Sequence, residues 1–445
     1  MFRYAVLALS AMAIIPGNAL AGRGGGILRD AEVESIIRSY ADPLFRAGGI
    51  PPASVRIRVI NDPSLNAFVT SGSRMYIHSG LLERTENPEQ LIGVIAHETG
   101  HIAGGHIVNR IDALEKAGIS SLAALAAGIA IGAASGRPDA GLAVTSLGTS
   151  VATRNYFSFS RTQEASADAF ALKVLDKTGQ TAEGLLEFFH ILEGQEYLAS
   201  ANQDPYVRTH PLNAERISAV AAHVEQSSAT THAPTAQMAA HKRMVAKMFA
   251  FLQTQGRTLQ KYPETDQSVA GRYARAIAYF RRGNTAKSLP LIDGLLKEYP
   301  SDPYFHELRG QMLVENGRVA EGLPNYRKAV SLLPNEPLIA TSYGHALIES
   351  GSPKAMKEAA QVLRTALARD PENSFGWRLL GTAWGRTGNE GQASYALAEY
   401  ALQTGAPSQA SFHAGKAEKL LGQSHPLWLR LQDIKMEAQN QLDKK

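Results

Sequence analysis

The segment Val94-Ile95-Ala96-His97-Glu98-Thr99-Gly100-His101 constrains this chain more than any other. It reads H-E-x-x-H inside an apolar helical run that begins near Pro88. Two histidines four apart lie on one helix face, a turn from each other, so both imidazoles reach a single ion. The glutamate between them sits on the open side, where it can take a proton from an activated water. Leu91, Ile92, Val94 and Ile95 make the start of this helix a core segment. Charged and imidazole side chains there need a partner, because unpaired buried polar groups are costly. A metal ion supplies one.

A catalytic zinc site takes a third protein ligand, and two candidates exist. His106 follows His101 by five residues. The H-E-x-x-H-x-x-G-x-x-H pattern would place a histidine at position 107, where this chain has Ile107. Five further helical residues are about 140° of rotation, which turns His106 away from the ion to a surface or outer-layer position. Glu164 is the better candidate. It lies in Arg161-Thr162-Gln163-Glu164-Ala165-Ser166-Ala167-Asp168, which runs on into a helical pattern ended by Gly179. Glu164 and Asp168 are i and i+4, hence on one face. Glu164 is expected to bind the ion, and Asp168 to sit behind a ligand imidazole and fix its tautomer. The small residues Ala165, Ser166, Ala167 and Ala169 suit close packing of this helix on another.

Together with Asn66-Ala67-Phe68, Ser160-Arg161, Thr209-His210-Pro211 and Arg216, these motifs resemble the HtpX/CAAX-protease-related gluzincin metallopeptidases over most of residues 28–220. The resemblance implies an α+β, mostly helical peptidase domain with a small sheet and one zinc ion. It implies that the ligands are His97, His101 and Glu164, with Glu98 as the base. It also places His210 at the zinc, either as a resting fourth ligand or as an oxyanion donor. Pro211 reads as a helix start, and 203–209 as a loop free to move. In the family, an edge strand beside the site aligns the substrate backbone, and that role falls on Asn66-Ala67-Phe68. The family often has two glycines near positions 71 and 72; here only Gly72 fits.

The rest of the chain extends this reading. Arg3, an apolar run from Tyr4 to Ile15, Pro16-Gly17 and Ala19-Leu20-Ala21 form a secretory signal over 1–21. A peptidase domain is expected over 22–225. Residues 30–47 read as an amphipathic helix and 54–60 as a strand, with a hairpin around Ser71-Gly72. Residues 117–136 carry no charge but are rich in Ala, Gly and Ser, too weakly apolar for a good membrane span. They read as part of a small-residue helical hairpin over 117–156 beside the cleft. A polar stretch and a connecting helix fill 226–265.

An internal repeat follows. Pro300 and Pro334 are thirty-four apart, as are Gly310 and Gly344, and Gly381 and Gly415. Tyr326, Ala329 and Pro334 fall where a tetratricopeptide unit places its aromatic, small and terminal proline residues. We read an all-α repeat solenoid over 266–439, about four units with a degenerate last pair as a cap.

A net charge of +4 on 445 residues gives no case for nucleic acid, and there are no cysteines for disulfides or lipidation. The signal points to the periplasm, compatible with peripheral association at the outer membrane. The order of signal, peptidase and repeats resembles members of the family that act on unfolded or stalled outer-membrane proteins, docking them and their assembly machinery through the repeats. The competing expectation is an assembly chaperone or scaffold whose peptidase site is mostly latent.

Overall fold

The computed structural model describes residues 26–106, 161–193 and 204–443. The expected signal at 1–21 and hairpin at 117–156 lie outside these residues. Among the described residues no helix is long and apolar enough to cross a membrane. Contacts divide the chain into two units. One takes in residues up to Ser35, Val59–Asn61 and everything from Arg243; the other takes in Ile36–Arg58 and Asp62–Lys242.

The unit of Ile36–Arg58 and Asp62–Lys242 carries the H-E-x-x-H helix. Strands β2 (Arg56–Ile60), β3 (Ala67–Thr70) and β4 (Arg74–His78) follow the amphipathic helix α1 (Ala31–Ala47). Together with β1 (Ile27–Leu28) they order as β1-β2-β4-β3, which leaves β3 at an edge. The hairpin is antiparallel, with Ala67 opposite Ile77 and Thr70 opposite Arg74. Its tight turn needs positive φ at Gly72 (77°) and Ser73 (54°), which explains why one glycine suffices there. Residues Val55, Ile57 and Val59 are buried as the alternation predicts, but the strand itself starts at Arg56, after a 3₁₀ turn over Pro52–Ser54.

After the short α2 (Ser79–Arg84) comes α3 (Pro88–Ala103), capped by the Asn87 side chain, which accepts the Gln90 amide N–H at 2.9 Å. Residues 161–178 form α4, followed by α5 (Glu183–Leu192), α6 (Pro205–Thr209) and α7 (Ala214–Gln226). Glycines let α3 approach its neighbours. A Cβ on Gly93 would lie 2.8 Å from the Leu185 Cα, and one on Gly100 would lie 2.7 Å from the Ala167 carbonyl oxygen. The small residues of α4 therefore meet a small residue of α3, and the backbones close to near contact.

Two local expectations are corrected. Residues 205–209 are the helix α6 rather than a free loop, and Tyr206 N–H donates to Leu65 C=O at 3.3 Å. Pro211 does not start a helix: α7 begins at Ala214, where Asn213 accepts the Arg216 N–H at 2.9 Å. An asparagine can cap the helix, so it starts there and leaves Pro211 in extended chain.

The other unit is helical beyond the expected polar linker, where α8 (Thr235–Leu252) already starts at Thr235 and is followed by α9 (Gln255–Lys261). Four helix pairs follow, α10–α17: Val269–Phe280 with Thr285–Glu298, Pro303–Glu315 with Val319–Leu332, Pro337–Glu349 with Pro353–Arg369, and Ser374–Arg386 with Glu390–Gln403. A fifth pair is α18 (Pro407–Leu421) with α19 (Trp428–Asp443). The repeated glycines are contact points. A Cβ on Gly310 would come within 2.9 Å of the Tyr326 ring, and one on Gly344 within 2.6 Å of Leu363. Gly415, in phase with them, meets nothing, and the last pair leaves Phe412 and Leu429 largely exposed. The expected cap therefore carries exposed apolar side chains among its polar ones, where such a cap usually has a polar outer face. At the other end of this unit, Lys247 is buried between Asp30 at 2.8 Å and Glu32 at 3.2 Å, and Tyr273 donates to Glu32 at 2.9 Å. The carboxylates hold that ammonium charged against the cost of burial.

A methyl group at Gly93 has no space against the Leu185 backbone. Gly93→Ala gains about 1 kcal/mol of helix propensity and loses about 1–3 kcal/mol to overpacking. We expect a net fall in stability, read as a lower urea midpoint. A midpoint equal to or above that of the unsubstituted chain would contradict this packing.

Candidate metal centre

Helix α3 brings His97, Glu98 and His101 to one place, α4 brings Glu164 and Asp168, the residue after α6 is His210, and α7 supplies Arg216. All seven side chains are buried. His97, His101, Glu164 and His210 each offer one ligand atom, and these atoms lie within 4.8 Å of one another. His97 Nε2 is 3.1 Å from His101 Nε2, 3.3 Å from His210 Nδ1 and 3.3 Å from Glu164 Oε2. His101 Nε2 is 3.5 Å from Glu164 Oε1, and His210 Nδ1 is 3.2 Å from Glu164 Oε2. Donors bound at about 2.0–2.1 Å to a tetrahedral ion stand roughly 3.3–3.5 Å apart, so this nitrogen and carboxylate set fits a small divalent cation.

Behind the donors, His97 Nδ1 lies 2.8 Å from Asp168 Oδ1. If Nδ1 carries the proton, Nε2 presents its lone pair to the cluster, so the outer carboxylate sets the ligand tautomer. Arg216 holds Asp168 with two bonds, Nε to Oδ2 at 2.6 Å and Nη2 to Oδ1 at 2.9 Å. Its Nη1 also stands 3.2 Å from Glu164 Oε2 and donates to the Pro211 carbonyl at 2.9 Å, beside His210. Such fork-shaped pairing is geometrically specific.

The electrostatics follow. Burial alone would raise the Asp168 carboxyl, but hydrogen bonds from His97 and Arg216 carry it down to about 2. Burial opposes charge on His97, yet Asp168 and Glu164 lift its imidazole to about 9, so a metal ion at Nε2 would have to displace a proton there. Burial pushes His101 down to about 3, which keeps it neutral and able to donate a lone pair. Burial raises the Glu98 carboxyl against the pull of His210 and His97. Neither Glu98 oxygen has a hydrogen-bond partner among the described residues, and its nearest basic neighbour is His210 Nε2 at 3.4 Å. A buried carboxylate left free in this way is suited to accept a proton.

His106 lies outside the ligand cluster, in the outer-layer position of the two expected for it, but it gets there by a different path. Helix α3 ends at Ala103, and Gly105 takes φ 59°, so the helical extrapolation does not apply. The turn folds His106 back, with its Nδ1 3.0 Å from His101 Nδ1. It meets the far nitrogen of His101 rather than joining the cluster. Sequence reasoning gave Tyr206 no part, yet its ring stacks on His210 with centroids 4.6 Å apart. Its spacing of i to i+4 from His210 was the available signal.

Residues 28–224 match the family model of peptidase family M48, and residues 273–337 match one for the tetratricopeptide repeat. The chain carries an M48 peptidase domain followed by tetratricopeptide repeats, and it is a metalloprotease. It is similar to the putative beta-barrel assembly-enhancing protease of Vibrio cholerae serotype O1, 26% identical over 340 residues that cover 75% of this chain and 69% of that one. The beta-barrel assembly-enhancing protease of Escherichia coli K12 is 25% identical over 355 residues, 77% of this chain and 70% of the relative. The metalloprotease YcaL of the same bacterium is 29% identical over 165 residues, 37% of this chain and 59% of the relative. The M48 match takes in most of the unit that carries the histidine cluster, and the repeat match falls on α10–α13.

Outer carboxylates of this kind are worth about 10–100-fold in metal affinity. We expect Asp168→Asn to lower metal affinity by about that range, measured by competition with a chromogenic chelator. Affinity unchanged from the unsubstituted chain would show that the Asp168–His97 contact does not tune the site.

Proposed function

We propose that this M48 peptidase is a zinc-dependent endopeptidase of the periplasm that cleaves unfolded or stalled outer-membrane proteins. In this reading His97, His101 and Glu164 hold the zinc, Glu98 is the general base, and the repeats dock substrates and their assembly machinery. The observation that carries the site assignment is the convergence of four buried donor atoms within 4.8 Å beside a buried, unpartnered Glu98. The names of the relatives support the substrate class, and the repeats support docking of a protein partner. The basic, apolar and small-residue pattern of residues 1–21 supports export.

A bound zinc ion would polarise the attacking water and the scissile carbonyl. Glu98 takes the proton of that water and hands it to the amide nitrogen as the C–N bond breaks. Asp168 and Arg216 hold His97 and Glu164 in place throughout. β3, at the sheet edge, offers its outer backbone groups to an extended substrate, beginning near Asn66.

His210 favours a second element of the reading. With its Nδ1 inside the cluster, four protein donors close the site, and a four-ligand zinc site is of the structural type. We therefore assign His210 as a gate that must leave before a water can bind, which makes the peptidase latent at rest. The Tyr206 ring stacks on His210 in this closed position, so opening requires the His210 ring to leave that stack while α6 stays in place. That latency is compatible with a scaffolding role between cleavage events.

Casein digestion by the zinc-loaded chain tests both assignments. Glu98→Gln is expected to retain metal and lose at least about 10²-fold in kcat. His210→Ala is expected to exceed the unsubstituted chain in basal cleavage. Activity of His210→Ala no better than that of Glu98→Gln would make His210 a catalytic group instead of a gate.

A further inference from the structure

Tyr206 is buried, and its hydroxyl has no hydrogen-bond partner among the described residues. The ring itself is well held. It stacks on the His210 imidazole at 4.6 Å with planes 29° apart, Phe188 meets it edge-on at 5.2 Å, and the His97 ring lies 6.5 Å away. The backbone is held too: its N–H donates to Leu65 C=O, and its C=O accepts the His210 N–H at 2.7 Å. Phenylalanine would satisfy every one of these contacts. It would also avoid burying an O–H with no acceptor, which is destabilising. A chain that keeps the hydroxyl at that cost, one ring away from a reactive centre, has placed a donor where an acceptor must arrive.

The chemistry of the centre names the acceptor. Asp168 already receives bonds from His97 and Arg216, and Glu164 is one of the donors to the ion. Glu98 must stay free to take a proton. The remaining acceptor in peptide hydrolysis is the carbonyl oxygen of the bond being cut. We propose that the Tyr206 hydroxyl is a further catalytic group, donating a hydrogen bond to the scissile carbonyl oxygen as that oxygen gains charge in the tetrahedral transition state. The proposal rests on the peptidase reading above, and it divides the labour at the site. A gate that moves cannot also be a fixed donor; the Tyr206 ring, pinned by Phe188 and by the Leu65 backbone, can. In the step, a water oxygen bonds to the carbonyl carbon while Glu98 takes its proton. The carbonyl π pair moves to the oxygen that Tyr206 faces, and returns as the C–N bond breaks and Glu98 protonates the amine.

The test is Tyr206→Phe in the full chain, with casein as substrate and Glu98→Gln as reference. Removing one such donor typically costs about 10²–10³ in kcat, and we expect that loss with KM little changed. The unfolding midpoint, measured on metal-free protein in chelator, should equal or exceed that of the unsubstituted chain, because an unpartnered hydroxyl has gone. A kcat within a few-fold of the unsubstituted chain overturns the proposal. A loss of kcat accompanied by a lower midpoint overturns it as well, since it assigns Tyr206 a packing role only. If the unsubstituted chain cleaves no faster than Glu98→Gln, the peptidase reading has failed and takes this one with it. Cleavage by the unsubstituted chain and by Tyr206→Phe at equal rates sinks this proposal alone.

Discussion

The pairing of Asp168 with His97 and Arg216 is the interaction on which the centre depends. One buried carboxylate ties three helices together: α3 through the His97 ring, α4 on which it sits, and α7 through the Arg216 fork. Removing any partner would leave charge uncompensated among buried groups, which is far more costly than the pair is stabilising. The same Arg216 reaches Glu164 and the Pro211 carbonyl. The position of the third donor and of the His210 segment is therefore set by the residue that sets the tautomer of the first donor.

Much of this was legible in the sequence, because it is local. A helix with H-E-x-x-H and a second helix with Glu164 and Asp168 at i and i+4 dictate their own faces, and the structure brings those faces together. The small residues of α4 foretold a close helix contact, which Gly100 and Ala167 make. What escaped the sequence was non-local or depended on where a helix stops. The fate of His106 hinged on Gly105 adopting positive φ, and the start of α7 on Asn213 outcompeting Pro211 as the initiating signal. The place of Tyr206 is non-local: nothing in its neighbourhood of sequence says that Phe188 will meet its ring or that the Leu65 carbonyl will accept its N–H.

The repeats obey a different logic. Their thirty-four-residue period was visible because the same packing problem recurs, and Gly310 and Gly344 solve it in the same way, by admitting a facing side chain where a Cβ would clash. The period says little about what the array binds. The last helix pair keeps the glycine phase at Gly415 without the contact that demands it, and it presents apolar side chains outward.

Metal content tests the central claim most directly. Elemental analysis of the purified chain should find one zinc ion per molecule, strongly reduced in Glu164→Gln because a neutral amide is a poor ligand, and unchanged in His106→Ala. Full zinc retention by Glu164→Gln together with loss in His106→Ala would show that the ion is held by a different set of groups, and the account of the centre would fall.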